Sequence, residues 1–127
     1  MMFRILLSWG PALLWSGFIF WLSSQSWDDA PAGFQINDKV AHLAIFGILG
    51  VALAWAGRRL KRRSLHAGLV LLGVLLAASD EWHQSFVALR DPSVGDFLAD
   101  TLGVILGYFL TLSLLRGRRG TPSSPLV

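Results

Sequence analysis

Four long apolar stretches constrain this chain more than anything else in it. They run from about Ile5 to Ser23, Val40 to Gly57, Leu65 to Phe86 and Asp96 to Leu115. A helix needs about 20 such residues to cross the hydrocarbon core of a bilayer. In lipid every backbone N–H and C=O must be satisfied within the protein, and these runs lack the two-residue alternation of barrel strands. Each is therefore expected to be a transmembrane helix. The expected fold class is all-α, an integral membrane four-helix bundle with both termini cytoplasmic. Residues 1–116 would form the bundle and residues 117–127, GRRGTPSSPLV, a disordered tail. Composition agrees: 54% of the 127 residues are hydrophobic and 15% charged, too little polar surface for a soluble domain of this size. With no cysteine in the chain, disulfides, thiolate metal sites and cysteine nucleophiles are excluded.

The first stretch has some look of a signal peptide, with Arg4 before it and Ser23 and Ser24 at its end. Its apolar run is longer than a signal core and carries Trp9, Trp15 and Trp21, so a retained helix is expected, with Pro11 near its start. Direction follows from the basic residues. Arg4, the RRLKRR run from Arg58 to Arg63, and Arg116, Arg118 and Arg119 together hold nine of the eleven Lys and Arg. The positive-inside rule puts these in the cytoplasm, and leaves Lys39, Arg90, Asp28, Asp29, Asp38 and Asp91 outside. Trp27 and Trp82 would then mark the outer interface, Trp9 and Trp55 the inner one. Basic blocks set beside apolar runs are topology signals, so no nucleic-acid partner is expected.

The polar chemistry gathers at one depth. The second stretch opens with Asp38, Lys39 and His42, the third ends in SDEWHQSF, and the loop after it holds Arg90, Asp91 and Ser93. The fourth opens with Asp96 and Asp100. In a bundle of antiparallel sequence neighbours these ends meet on the outer side, whereas the inner ends carry only basic loops. Asp96, Asp100, Gly103 and Gly107 fall on one helical stripe, and GVILG is a small-xxx-small pattern that admits another helix, including one from a second copy of the chain. Leu98, Leu102, Ile105 and Phe109 lie opposite and suit lipid. Asp80, His83 and Gln84 share a face of the third helix. Asp100 would lie about 6 Å below Asp96, and Asp80 roughly 9 Å from its helix end. Six carboxylates against Lys39 and Arg90 leave an acidic excess at a depth where an unpaired charge costs a few kcal/mol or more.

The segments DKVAHLAIF and SDEWHQSFVALRDPSVGDFLADTLGVILG resemble the VanZ-like membrane protein family. The resemblance runs from about Asp38 to Gly107 through Lys39, His42, Asp80, Glu81, Gln84, Arg90, Ser93, Asp96, Gly103 and Gly107, leaving out the first helix and the tail. The chain departs from the family pattern at Asp100, often Asn there, at Phe46, often Tyr, and at Ala88-Leu89, usually Pro-Gly. The resemblance implies a multi-pass protein of the bacterial plasma membrane. The founding member is associated with tolerance to the glycopeptide teicoplanin, but no reaction is established for the family.

Several functions fit these residues. In the first, the outer site binds or modifies a phosphate-bearing membrane lipid or lipid-linked envelope precursor. Lys39, Gln84, Arg90, Ser93, Asp96 and Asp100 would bind it, and His42, Asp80 and Glu81 would carry any catalysis, with His42 as acid/base. A variant makes His42, Asp80 and Asp96 metal ligands, with Glu81, His83 and Asp100 as further donors; Glu81-Trp82-His83 does not reproduce the zincin motif HExxH. No cofactor is assigned. His66, at the inner start of the third helix, is expected to be interfacial. Transport ranks last, because no polar path continues inward. The alternative to all of these is a structural or interaction protein whose ion pairs only fix helix packing.

Overall fold

The computed structural model describes residues 2–26 and 34–118, with side chains at 3–26 and 38–118. It consists of four helices, α1 (Met2–Ser23), α2 (Phe34–Gly57), α3 (Arg63–Gln84) and α4 (Val94–Gly117), and no strand among the described residues. All four are long and apolar enough to cross a membrane. Their outer faces are uncompensated hydrocarbon: Leu14 is 78% exposed, Leu71 58% and Leu110 64%. A bundle in water would bury such residues; a bundle in lipid has no reason to. Leu98, Leu102, Ile105 and Phe109 are exposed as expected. Trp27, Asp28, Asp29 and the tail from residue 119 lie outside the described residues, and α4 takes up Gly117, the first residue assigned to that tail.

Helix packing is set by α2 and α4, which run parallel. Lys39 meets Asp96, His42 meets Asp100, and farther along Gly47 meets Gly107. Glycines make this closeness possible. A Cβ on Gly107 would overlap the Gly47 carbonyl, one on Gly103 the Leu43 carbonyl, and one on Gly50 the Val104 carbonyl. Backbones this near trade side-chain packing for direct main-chain contact, which is how small residues join helices in lipid. The GVILG stripe thus receives a helix of its own chain, and a second copy at Gly103 and Gly107 would first have to displace α2. Phe46, Leu49, Leu53, Val104 and Tyr108 fill the core beside this seam. The α3 helix packs on both α2 and α4, while α1 lies against α2 and α3. A side-chain bond ties α1 in place: Trp15 Nε1 donates to the Ile45 carbonyl at 2.8 Å.

Two expectations change. The third helix ends at Gln84, two residues before Phe86, because the N–H groups of Ser85, Phe86 and Val87 close turns onto Glu81, His83 and Gln84 carbonyls. Asp80 is therefore one turn, about 6 Å, from the helix end instead of 9 Å. The second change is at the basic end, which is more than a set of charged loops. His66 is 6% exposed, with Nδ1 2.7 Å from the Tyr108 hydroxyl and Nε2 3.1 Å from the Leu60 carbonyl. Gly57 leaves the room for it, since a Cβ there would stand 3.1 Å from that hydroxyl. His66, in the first turn of α3, is thus packed into the bundle end.

Candidate functional site

The acidic end is built by the first turns of α2 and α4 and the last turns of α3. Ser93 starts α4 as its N-cap: its Oγ accepts from Gly95 N at 3.1 Å and Asp96 N at 3.4 Å. These bonds satisfy N–H groups that a helix start leaves unpaired, and Asp96 in the first turn is favoured by the helix dipole. The Ser93 backbone N–H donates to Glu81 Oε2 at 2.9 Å, which locks α3 to the start of α4. Before it, Leu89 takes a left-handed φ of 63°. Glycine would adopt that conformation without the Cβ clash that leucine meets.

Within the bundle Lys39 Nζ donates to Asp96 Oδ1 at 2.8 Å, its side chain 58% exposed against 9% for the carboxylate. Deeper, His42 Nδ1 lies 2.9 Å from Asp100 Oδ1. The other ring nitrogen of His42 faces Asp38 Oδ1 at 3.8 Å. Gln84 Nε2 donates to Asp80 Oδ2 at 2.9 Å. Asp80, Glu81, Gln84, Asp96 and Asp100 are all buried, Asp100 completely. The expected meeting of three helix tips is thus present, with Asp80, Glu81, Asp96, Asp100, His42 and Lys39 in one cluster.

Some expected members sit differently. Gln84 and Ser93, expected to touch a ligand, spend their hydrogen bonds holding Asp80, Glu81 and the α4 start. His83 leaves the face it was to share with Asp80 and Gln84. It stacks on Phe20 with 4.4 Å between ring centroids and lies 2.9 Å from Ser24 Oγ, so it docks α1. Arg90 turns toward α1 too, its Nε donating to the Gln25 carbonyl at 3.2 Å, and among the described residues it pairs with no carboxylate. The expected metal triad is divided. A ring nitrogen of His42 and one oxygen each of Asp80, Glu81 and Asp100 lie within 4.8 Å of one another, while Asp96 groups with Asp38 on the other side of His42.

The end of α1 is the part that sequence reasoning missed. The Ser23 hydroxyl is buried beside Asp80, and Ser24 and the Gln25 carbonyl take the bonds just described. The only sequence signal was the polar run SSQS after an apolar helix, which reads equally well as an ordinary exit from a membrane. The cluster is also incompletely satisfied. Glu81 Oε1 and Asp100 Oδ2 are buried without a hydrogen-bond partner. Like charges 4.8 Å apart repel by about 3 kcal/mol at an effective dielectric of 20, so three bare carboxylates here would oppose the fold strongly. A proton or a cation must share the site.

A four-span membrane bundle with a buried histidine–carboxylate cluster at one end is the class these features define. The sequence matches the VanZ/LLP1 family over residues 8–116, and the chain belongs to that family. The match includes most of α1, which the resemblance read from the sequence left out, in keeping with the part α1 plays at the site. An uncharacterised protein of Schizosaccharomyces pombe is 31% identical over 77 residues, 61% of this chain and 48% of the relative. The chain thus spans about half the length of that relative. No solved structure matches.

Proposed function

We propose that the acidic end faces the extracytoplasmic side of a bacterial plasma membrane and binds the phosphate of a membrane lipid or lipid-linked envelope precursor. The observation that carries this reading is the state of Lys39 and Arg90, the two cations at the acidic end. Lys39 is largely exposed while holding Asp96, and Arg90 meets no carboxylate among the described residues. Both cations sit within a turn or so of a helix end, where lipid head groups lie. A phosphate reaching either would gain charge-assisted bonds, bidentate ones from arginine. His42, held by Asp100, is the group able to move a proton on a ligand so placed. The outward orientation is supported by the basic residues at the other end, from Arg58 to Arg63 and at Arg116 and Arg118. A link to glycopeptide tolerance would follow only if the ligand is a cell-wall precursor.

The test is lipid retention by the full-length protein, read by native mass spectrometry after exchange into mixed phosphate-bearing and neutral lipids. Selective retention of the phosphate-bearing class is expected, with about a tenfold loss in Lys39→Ala combined with Arg90→Ala. Equal retention of neutral diacylglycerol, or no loss in the double variant, contradicts it. The structural alternative has its own support, because Lys39–Asp96 and His42–Asp100 both pin α2 against α4. It predicts that the double variant loses folded protein before it loses any lipid.

A further inference from the structure

We infer that His42, Asp80, Glu81 and Asp100 form a binding site for a divalent metal cation. Asp96 and Lys39 neutralise each other at the rim, and Asp38 is part-exposed, so the charge imbalance is concentrated in this inner group. Its one ring nitrogen and three carboxylate oxygens come from α2, α3 and α4 and lie within 4.8 Å of one another. Ligands on opposite sides of an ion with bonds of about 2.1 Å stand about 4.2 Å apart, and adjacent ones about 3 Å. The four atoms are therefore already near coordination distances, and small rotations of side chains would complete them. The 2.9 Å between His42 Nδ1 and Asp100 Oδ1 is itself the spacing of two neighbouring ligands.

A second observation is independent of this spacing. Asp100 is fully buried and Glu81 is 9% exposed, yet Asp100 Oδ2 and Glu81 Oε1 each lack any hydrogen-bond partner. Buried carboxylate oxygens are normally bonded, and bare ones point to a missing cationic partner. Two of the other oxygens are fixed by outer contacts of the kind that orient metal ligands. Gln84 holds Asp80 Oδ2, and the Ser93 N–H holds Glu81 Oε2. The donor set indicates the type of ion. Three carboxylates and an imidazole, with no thiol in the chain, suit Mn²⁺, Fe²⁺ or Zn²⁺. Ca²⁺ prefers six to eight oxygens, and Mg²⁺ largely oxygen and water.

The ion deepens the head-group reading and rests on the same site: it would give a phosphate a cation to bridge to, inside an otherwise acidic pocket. The test separates the two. Mn²⁺ is titrated into the purified full-length protein in phospholipid-free detergent and followed by electron paramagnetic resonance. One Mn²⁺ per chain is expected, with about tenfold or greater weakening in Asp100→Asn and in Glu81→Gln, and none in the exposed-loop variant Asp91→Asn. Thermal melts of each variant establish that it is folded. No uptake by the wild type at millimolar Mn²⁺, or wild-type affinity in folded Asp100→Asn and Glu81→Gln, overturns the site and leaves a proton-sharing carboxylate network only. Mn²⁺ binding without selective phosphate-lipid retention would keep the ion and end the head-group reading.

Discussion

Each end of the bundle buries one histidine, and the two are treated in opposite ways. At the basic end His66 has one partner for each ring nitrogen, the Leu60 carbonyl and the Tyr108 hydroxyl. The carbonyl can only accept, so Nε2 donates there, and Nδ1 pairs with the Tyr108 hydroxyl, which can donate or accept. Both ring nitrogens are satisfied by neutral partners. At the acidic end His42 has carboxylates on both sides, and Asp80, Glu81 and Asp100 crowd together with two oxygens unbonded. Complete satisfaction is what packing needs. Incomplete satisfaction persists where something else completes it.

Substitutions at the seam and at each end should act in different ways. The largest effect should come from Gly107→Leu, which drives a side chain into the Gly47 carbonyl and separates the helices that both ends share. Loss of several kcal/mol is expected, read as absence of a monodisperse folded species in detergent; a well-folded Gly107→Leu would mean that α2 and α4 are not so close. Next is Tyr108→Phe, which leaves a His66 nitrogen unpaired and should cost about 1–3 kcal/mol in a denaturant melt. Adding His66→Leu should recover part of that loss, and Mn²⁺ uptake should be unchanged throughout. Asp100→Asn should behave in the reverse manner: without metal its stability should match or exceed the wild type by about 1 kcal/mol, because it relieves like-charge repulsion, while binding falls. Marked destabilisation of metal-free Asp100→Asn would make the acidic end a packing device like the basic one. The smallest effect is at Leu89→Gly, where release of a left-handed residue should add about 0.5–1 kcal/mol, visible as a raised melting temperature.

The sequence made the spans legible because length and hydropathy are the very quantities that decide bilayer crossing. It also showed the stripe of Asp96, Asp100, Gly103 and Gly107, since one helix periodicity fixes which side chains share a face. What it could not show was the partner. The glycines fitted a second copy as well as a helix of the same chain, and only the parallel course of α2 beside α4 decides between them. His83 was misassigned for a related reason: three residues from Asp80 it is on a neighbouring line of the helix, and α1 was there to claim it. Tyr108 and His66 are 42 residues apart, with no local pattern to connect them. Ser23 carried no signal beyond a polar helix exit.

If the acidic end serves a ligand and the basic end the fold, substitutions at the two ends should differ in the cell. The readout is the lipid and cell-wall precursor profile of a deletion strain complemented with equal amounts of wild type, Asp80→Asn or the double variant His66→Leu with Tyr108→Phe. The wild type and the basic-end variant should restore the profile, and Asp80→Asn should leave it as in the deletion. Restoration by Asp80→Asn as full as that by the wild type would contradict the claim.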